Sequence, residues 1–175
     1  MQIENEIKIL RIDVAELTKR LENSDLISKG LIYFKRYVYE LPENKDAWIR
    51  LRTDGTKTTL TYKKYVKDSI DGVKELEIEV SSFEDTNTML NLMGYNAKNY
   101  QENKRTLYSN DEVEISIDEW PQIDPYAEIE GKTSEIVSKY LKEYDLEDNE
   151  TTSQPTSHVY KLAGLDIDQL TDLHF

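Results

Sequence analysis

Residues 2–9 (QIENEIKI) alternate polar and apolar positions, interrupted only by Asn5, the two-residue period of a half-buried β-strand. The same period returns in LIYFKRYVYEL after Gly30, in 47–53 (AWIRLRT), 58–64 (TTLTYKK) and 75–82 (ELEIEVSS), and again in 103–109 (NKRTLYS), 112–119 (EVEISIDE) and 126–130 (YAEIE). Asp54-Gly55 reads as a turn between two of these strands. Between them the period lengthens. Val14, Leu17, Leu21 and Ile27 predict helix within 11–28, and Ile136, Val137, Tyr140, Leu141 and Tyr144 share one face of a helix over 134–144. A third helix is expected around 86–92, opened by Asp85 or Thr86 and closed by Gly94. The stretch from Asp145 to Ser157 is acidic, then polar, and broken by Pro155; from that proline a tail over 155–175 reads as two short helices. The sum is an α+β fold with seven or eight antiparallel strands, too many for a small open sheet and suited to a closed barrel.

Which face of each strand carries charge sharpens this picture. Side chains two apart on a strand point the same way. Gln2, Glu4, Glu6 and Lys8 oppose Ile3, Asn5, Ile7 and Ile9; Trp48, Arg50 and Arg52 oppose Ile49 and Leu51; Thr59, Thr61 and Lys63 oppose Leu60 and Tyr62. Glu75, Glu77 and Glu79 oppose Leu76, Ile78 and Val80; Glu114, Ser116 and Asp118 oppose Val113, Ile115 and Ile117; Glu128 and Glu130 flank Ile129. An ordinary sheet with one solvated face has this look too, but it mixes signs along each strand. Here basic groups gather on 47–64 and carboxylates on 75–80 and 126–130. The helices, moreover, have apolar stripes that need an apolar sheet surface to cover. Helices outside a closed barrel leave the charged face inside, a burial tolerated only when opposite charges or bound ions meet it. Carboxylates hold a hard divalent cation and guanidinium groups hold phosphate oxygens, so the expected guest is a metal-bound polyphosphate.

Composition narrows the chemistry. The chain has 175 residues, the length of one domain, with 22 Lys+Arg against 35 Asp+Glu, a net charge of −13. Such acidity argues against duplex nucleic acid as a partner. With no cysteine there is no disulfide, thiolate metal site or cysteine nucleophile, and His158 and His174 alone cannot build a poly-histidine site; both read as structural or exposed. No apolar stretch long enough for a leader or a membrane span is present, which predicts a soluble cytoplasmic protein with no membrane partner. The 12 tyrosines read as packing between barrel and helices. The G-x-x-x-x-G-K-[ST] phosphate loop is absent.

The order of these motifs resembles the CYTH domain, the triphosphate tunnel metalloenzymes. Glu4-Asn5-Glu6-Ile7-Lys8 matches the family's ExExK signature; WIRLR, LTYK, ELEIEV, NKRTLY, ISIDEWP and AEIEG follow in the expected order, covering residues 2–131. The resemblance implies a single CYTH-like domain over 1–175, an eight-stranded antiparallel tunnel with a charged interior and helices outside. It implies a Mg²⁺- or Mn²⁺-dependent enzyme acting on a small-molecule triphosphate, and a homodimer as its assembly. Arg50, Arg52, Lys63 and Arg105 would clamp phosphate; Glu4, Glu6, Glu79, Asp118, Glu128 and Glu130 would supply metal ligands. Some relatives carry Lys-x-Arg on the sixth strand, where this chain has Asn103 before Arg105. Either Lys104 takes the lysine's place through a bulge, or one cationic contact is absent. Catalytic roles fall to Lys8, as a charge neutraliser or holder of Glu6, to Glu128, as acceptor of a proton from water, and to Glu77. Trp48 and Trp120 stand next to motif residues; that either borders a base or thiamine ring is the lesser of their readings. Hydrolysis of inorganic, nucleoside or thiamine triphosphate is the expected activity; cyclisation of ATP to cyclic AMP and pyrophosphate, or binding without catalysis, are the alternatives.

Overall fold

A ribbon charged on one side and apolar on the other satisfies both only if it rolls up with a lining and a cover. The computed structural model, which describes residues 1–170 and 172–175, shows that solution. In chain order the elements are β1 (Gln2–Ile9), α1 (Val14–Glu22), β2 (Ile27–Glu40), β3 (Ala47–Thr53), β4 (Thr58–Tyr65), β5 (Val73–Val80), α2 (Phe83–Leu92), β6 (Ala97–Ser109), β7 (Val113–Glu119), β8 (Tyr126–Gly131), α3 (Ser134–Glu143), β9 (Thr151–Thr152), α4 (Thr156–Leu162), a 3-10 turn (Ile167–Gln169) and β10 (Asp172–Leu173). Strands pair in the order β6-β2-β3-β4-β5-β1-β8-β7, and a β6–β7 ladder joins the ends. The eight strands therefore form a closed antiparallel barrel with helices outside it, and the ring itself has no open edge.

Register carries the inner face around the ring. Arg36 stands opposite Arg52 and Val38 opposite Arg50; Arg50 faces Thr61, and Thr61 faces Glu77. Glu6 faces Glu130, Lys8 faces Glu128, and Arg105 faces Asp118. Between β5 and β1 the ladder is short, from Gln2↔Glu75 to Glu4↔Val73, so the later half of β5 has no β1 neighbour.

The apolar core lies outside the barrel wall. Leu17 and Leu21 of α1 and Val137 and Tyr140 of α3 are buried against Ile9, Ile115, Ile117 and Ile129. Gly131 permits this approach, because a Cβ there would meet Ile136 Cγ2 at 3.0 Å and Val137 Cγ2 at 3.1 Å. Elsewhere on the wall α2 packs its Leu90 against Tyr39 and Leu51, with the Tyr37 and Phe83 rings stacked 5.2 Å apart. The mantle is incomplete: Leu76 and Ile78 on the outer face of β5 remain 54% and 52% exposed.

Three expectations need correction. Ile27 is not part of the first helical stripe but opens β2, 61% exposed. α2 begins earlier than expected, because the Ser82 hydroxyl accepts the Asp85 N–H at 3.1 Å and caps the helix ahead of Asp85 and Thr86. The tail is only partly helical: after α4 and the 3-10 turn it ends in β10, which runs parallel to β6. Within that tail Thr171 lies outside the described residues. Among the described residues no helix is long and apolar enough to cross a membrane.

Candidate active site

The barrel encloses a cavity of about 550 Å³ lined by the ionisable faces of its strands. One part of the lining is cationic. Arg36 comes from β2, Arg50 and Arg52 from β3, and Arg105 from β6. Arg105 is anchored: its Nε and Nη2 donate to the two Asp118 oxygens at 2.9 and 2.8 Å, and Nη2 also reaches Glu128 at 2.9 Å. Burial disfavours its charge, but Asp118 and Glu128 outweigh burial and push its pKa up. Arg50 lies 3.4 Å from Glu77, whose carboxylate accepts the Thr61 hydroxyl at 2.7 Å. Arg36 and Arg52 differ. Neither forms an ion pair with a carboxylate among the described residues, and each rests on an aromatic face, Arg36 on Trp120 and Arg52 on Phe34, both at 4.6 Å. Burial and then neighbouring arginines lower both, Arg36 to about 9 and Arg52 well below its ordinary value.

The rest of the lining is acidic with lysines embedded in it. Lys8 Nζ is 2.7 Å from Glu6 and 3.3 Å from Glu128; Lys63 Nζ is 2.6 Å from Glu4 and 3.7 Å from Glu75. Burial opposes the charge on Lys8, yet Glu6 and Glu128 raise its pKa. For Glu128, burial is overcome by Lys8 and Arg105, which hold it below the ordinary carboxylate range. Glu130 has only the weaker pull of Lys63. Burial, then Glu6, Glu128 and Glu4, push it up to about 8. Glu4 is raised as well, by burial ahead of Lys63's opposing pull, and its Oε2 is buried with no hydrogen-bond partner. Among the described residues no three carboxylates or histidines sit at the spacing of a ready-made metal site. The lysines explain this, since each draws a pair of carboxylates to itself.

Of the residues singled out by sequence, Glu4, Glu6, Lys8, Arg50, Arg52, Lys63, Glu77, Arg105, Glu128 and Glu130 line this one cavity. Three do not. Lys104 is on the outer face, its Nζ 4.0 Å from the Phe175 ring, because the β2–β6 register is unbroken through Asn103 and Arg105 and no bulge turns Lys104 inward. Asp118 is fully buried behind Arg105, with both oxygens taken by Arg105, Asn103 and Ser116. Glu79 reaches out to Lys57 at 3.4 Å with 68% of its side chain exposed, where β5 has already left β1. Arg36 was not anticipated. Its signal is the alternation Phe34-Arg36-Val38-Glu40 within an aromatic strand, legible once β2 is put in register with β3.

The family model for the CYTH domain matches residues 2–159. No curated protein matches the chain significantly. Among solved structures, a protein of Pyrococcus horikoshii OT3 superposes with a TM-score of 0.74 at 22% identity, covering 85% of this chain and 94% of that one. A candidate adenylate cyclase from Vibrio parahaemolyticus gives 0.74 at 14% identity, over 91% and 98%. A candidate adenylyl cyclase from Hippeastrum with a dominant triphosphatase activity gives 0.59 at 15%, over 94% and 97%. At these identities the likeness is one of fold.

Proposed function

The chain belongs to the CYTH domain family, and from that membership we propose that its tunnel hydrolyses a triphosphate, inorganic or esterified to a nucleoside or thiamine, with Mg²⁺ or Mn²⁺. One observation carries the reading: guanidinium groups without carboxylate partners among the described residues share the barrel cavity with carboxylates that repel one another. Each set lacks the guest that the other also needs. A polyphosphate satisfies the first, and the divalent cation travelling with it satisfies the second. The donors fit a hard cation, being all oxygen, with the buried Glu4 Oε2 unclaimed. Glu4 and Glu6 would hold it, and when bound it supplies charge neutralisation on the phosphate oxygens.

The chain's own residues do the rest. Arg50, Arg52, Lys63 and Arg105 bind and align the phosphates; Arg52 keeps its fork clear of carboxylates, while Arg105, with Nε and Nη2 held by Asp118 and Glu128, offers its remaining nitrogen. Lys8 keeps Glu6 and Glu128 in place. Glu128, expected as proton acceptor, is made a weak base by Lys8 and Arg105 and serves as their anchor. Glu130 holds its proton in the metal-free tunnel and, once ionised beside a cation on Glu4 and Glu6, is free to take the proton of an attacking water. Glu77 fixes Arg50. A dominant triphosphatase activity in the Hippeastrum protein of the same fold supports hydrolysis over cyclisation.

The test is a screen of tripolyphosphate, ATP and thiamine triphosphate with each metal, reading orthophosphate and cyclic AMP together. Metal-dependent orthophosphate release, lost in Glu6→Gln, is expected. Cyclic AMP and pyrophosphate without orthophosphate would replace the hydrolase reading with the cyclase one.

A further inference from the structure

We infer that Arg36 and Trp120 form an additional anion subsite of the tunnel, which takes one terminal phosphoryl group of the bound chain. The inference rests on the triphosphate reading and extends it beyond the clamp described above. Arg36 is 8% exposed and stands opposite Arg52 in the β2–β3 ladder, so two like charges face each other across neighbouring strands. Its polar partner is the Asn103 carboxamide oxygen, which accepts from Nη2, while its Nε is buried with no acceptor. Among the charges acting on it, Arg50 and Arg105 repel, and the charge of Asp118 is already taken by Arg105.

Trp120 supplies an independent sign. It lines the same cavity, is 5% exposed, and its indole N–H is also buried without an acceptor. The Arg36 guanidinium lies over its ring at 4.6 Å, and the ring's packing against Tyr160 of α4, centroids 6.3 Å apart, holds it in place. A purely structural cation–π contact accounts for the guanidinium's face. It leaves two buried donors without acceptors among the described residues, a costly state that an oxyanion in the cavity both residues line would relieve on a small turn of each side chain toward it. The occupied face of Trp120 also disqualifies it as a stacking surface for a base, which leaves its N–H as the group it offers.

Calorimetric titration of tripolyphosphate and of pyrophosphate into metal-free protein tests this. Arg36→Gln, which keeps a side chain able to bond Asn103, should weaken tripolyphosphate about 10- to 100-fold, the worth of a charged hydrogen-bonding group. Pyrophosphate, short enough to stay on Arg50, Arg52 and Arg105, should change less than about 3-fold. Trp120→Phe, which keeps a ring and removes the N–H, should weaken tripolyphosphate about 3- to 10-fold, and it carries the test should Arg36→Gln fail to fold. Wild-type affinity for tripolyphosphate in both variants overturns the subsite, as does an equal loss for both ions in Arg36→Gln. Wild-type protein that takes up neither ion overturns the triphosphate reading itself.

Discussion

Glu130→Gln isolates the repulsion stored in the acidic part of the tunnel. In the folded chain Glu130 titrates near 8, against an ordinary value of 4.5. Below 4.5 both folded and unfolded chains carry its proton and the group has no effect on stability. As pH rises through 4.5 the unfolded chain ionises while the folded one keeps the proton, so stability falls by about 1.4 kcal/mol per pH unit until about 8. At pH 7 some 2.5 units have been crossed, about 3 kcal/mol; water and counterions within the tunnel reduce this to about 1–3 kcal/mol. Glutamine copies the protonated form and never incurs the loss. Urea unfolding in EDTA at pH 5, 6, 7 and 8 should therefore show the variant ahead of wild type by under about 1 kcal/mol at pH 5, widening to about 2–3 kcal/mol at pH 8. Excess Mg²⁺ should narrow the gap, because a cation beside Glu4 and Glu6 lets Glu130 ionise at lower pH. The gain in stability should come with loss of turnover. A gap constant across pH would falsify the placement of Glu130 among uncompensated carboxylates, and one unmoved by Mg²⁺ would deny that a cation binds beside it.

Further outcomes follow from the placement of single side chains. Asp118→Asn withdraws the carboxylate that grips Arg105 by two bonds and should lower stability by about 3 kcal/mol in urea unfolding; an unchanged midpoint would mean Glu128 alone holds Arg105. Lys104→Ala should leave KM and kcat for the triphosphate within about 2-fold of wild type, since its ammonium lies against Phe175 outside the barrel. A marked rise in KM would return Lys104 to the tunnel. Leu21→Ala removes a fully buried side chain between α1 and the wall, and should cost about 2–5 kcal/mol without altering KM.

Much of the fold was legible because one rule, side-chain alternation, governs every strand of a barrel whose two faces differ so sharply. QIENEIKI and AWIRLRT matched their strands to the residue, and the sorting of charge by strand pointed the ionisable face inward. Alternation failed where it was masked. β6 runs from Ala97, but AKNYQE lacks a clean alternation, with Asn99 and Gln101 inside, Tyr100 outside and Lys98 at a register shift beside the cavity, so only its second half announced itself. In the tail, a two-residue strand such as β10 has no period to read. In the site, parity separated Arg105 from Lys104 only once a bulge was excluded, and that required the pairing partner. Likewise Asp118 and Glu79 have the right parity; what removes them from the acidic cluster is the depth of one, under Arg105, and the divergence of β5 from β1 for the other. Arg36 escaped because the register between β2 and β3 across the intervening loop is not written in either strand alone.

With its greasy mass wrapped around the wall, this protein places most of its apolar packing and its ionisable cavity on alternate residues of the same ribbons. Exchanging one inward residue for another disturbs the neighbours it faces across the hollow, while the outward partners and the unbroken ring of backbone bonds still define the shape. The same scaffold therefore tolerates wide change in sequence, as a barrel that superposes on it at 22% identity illustrates.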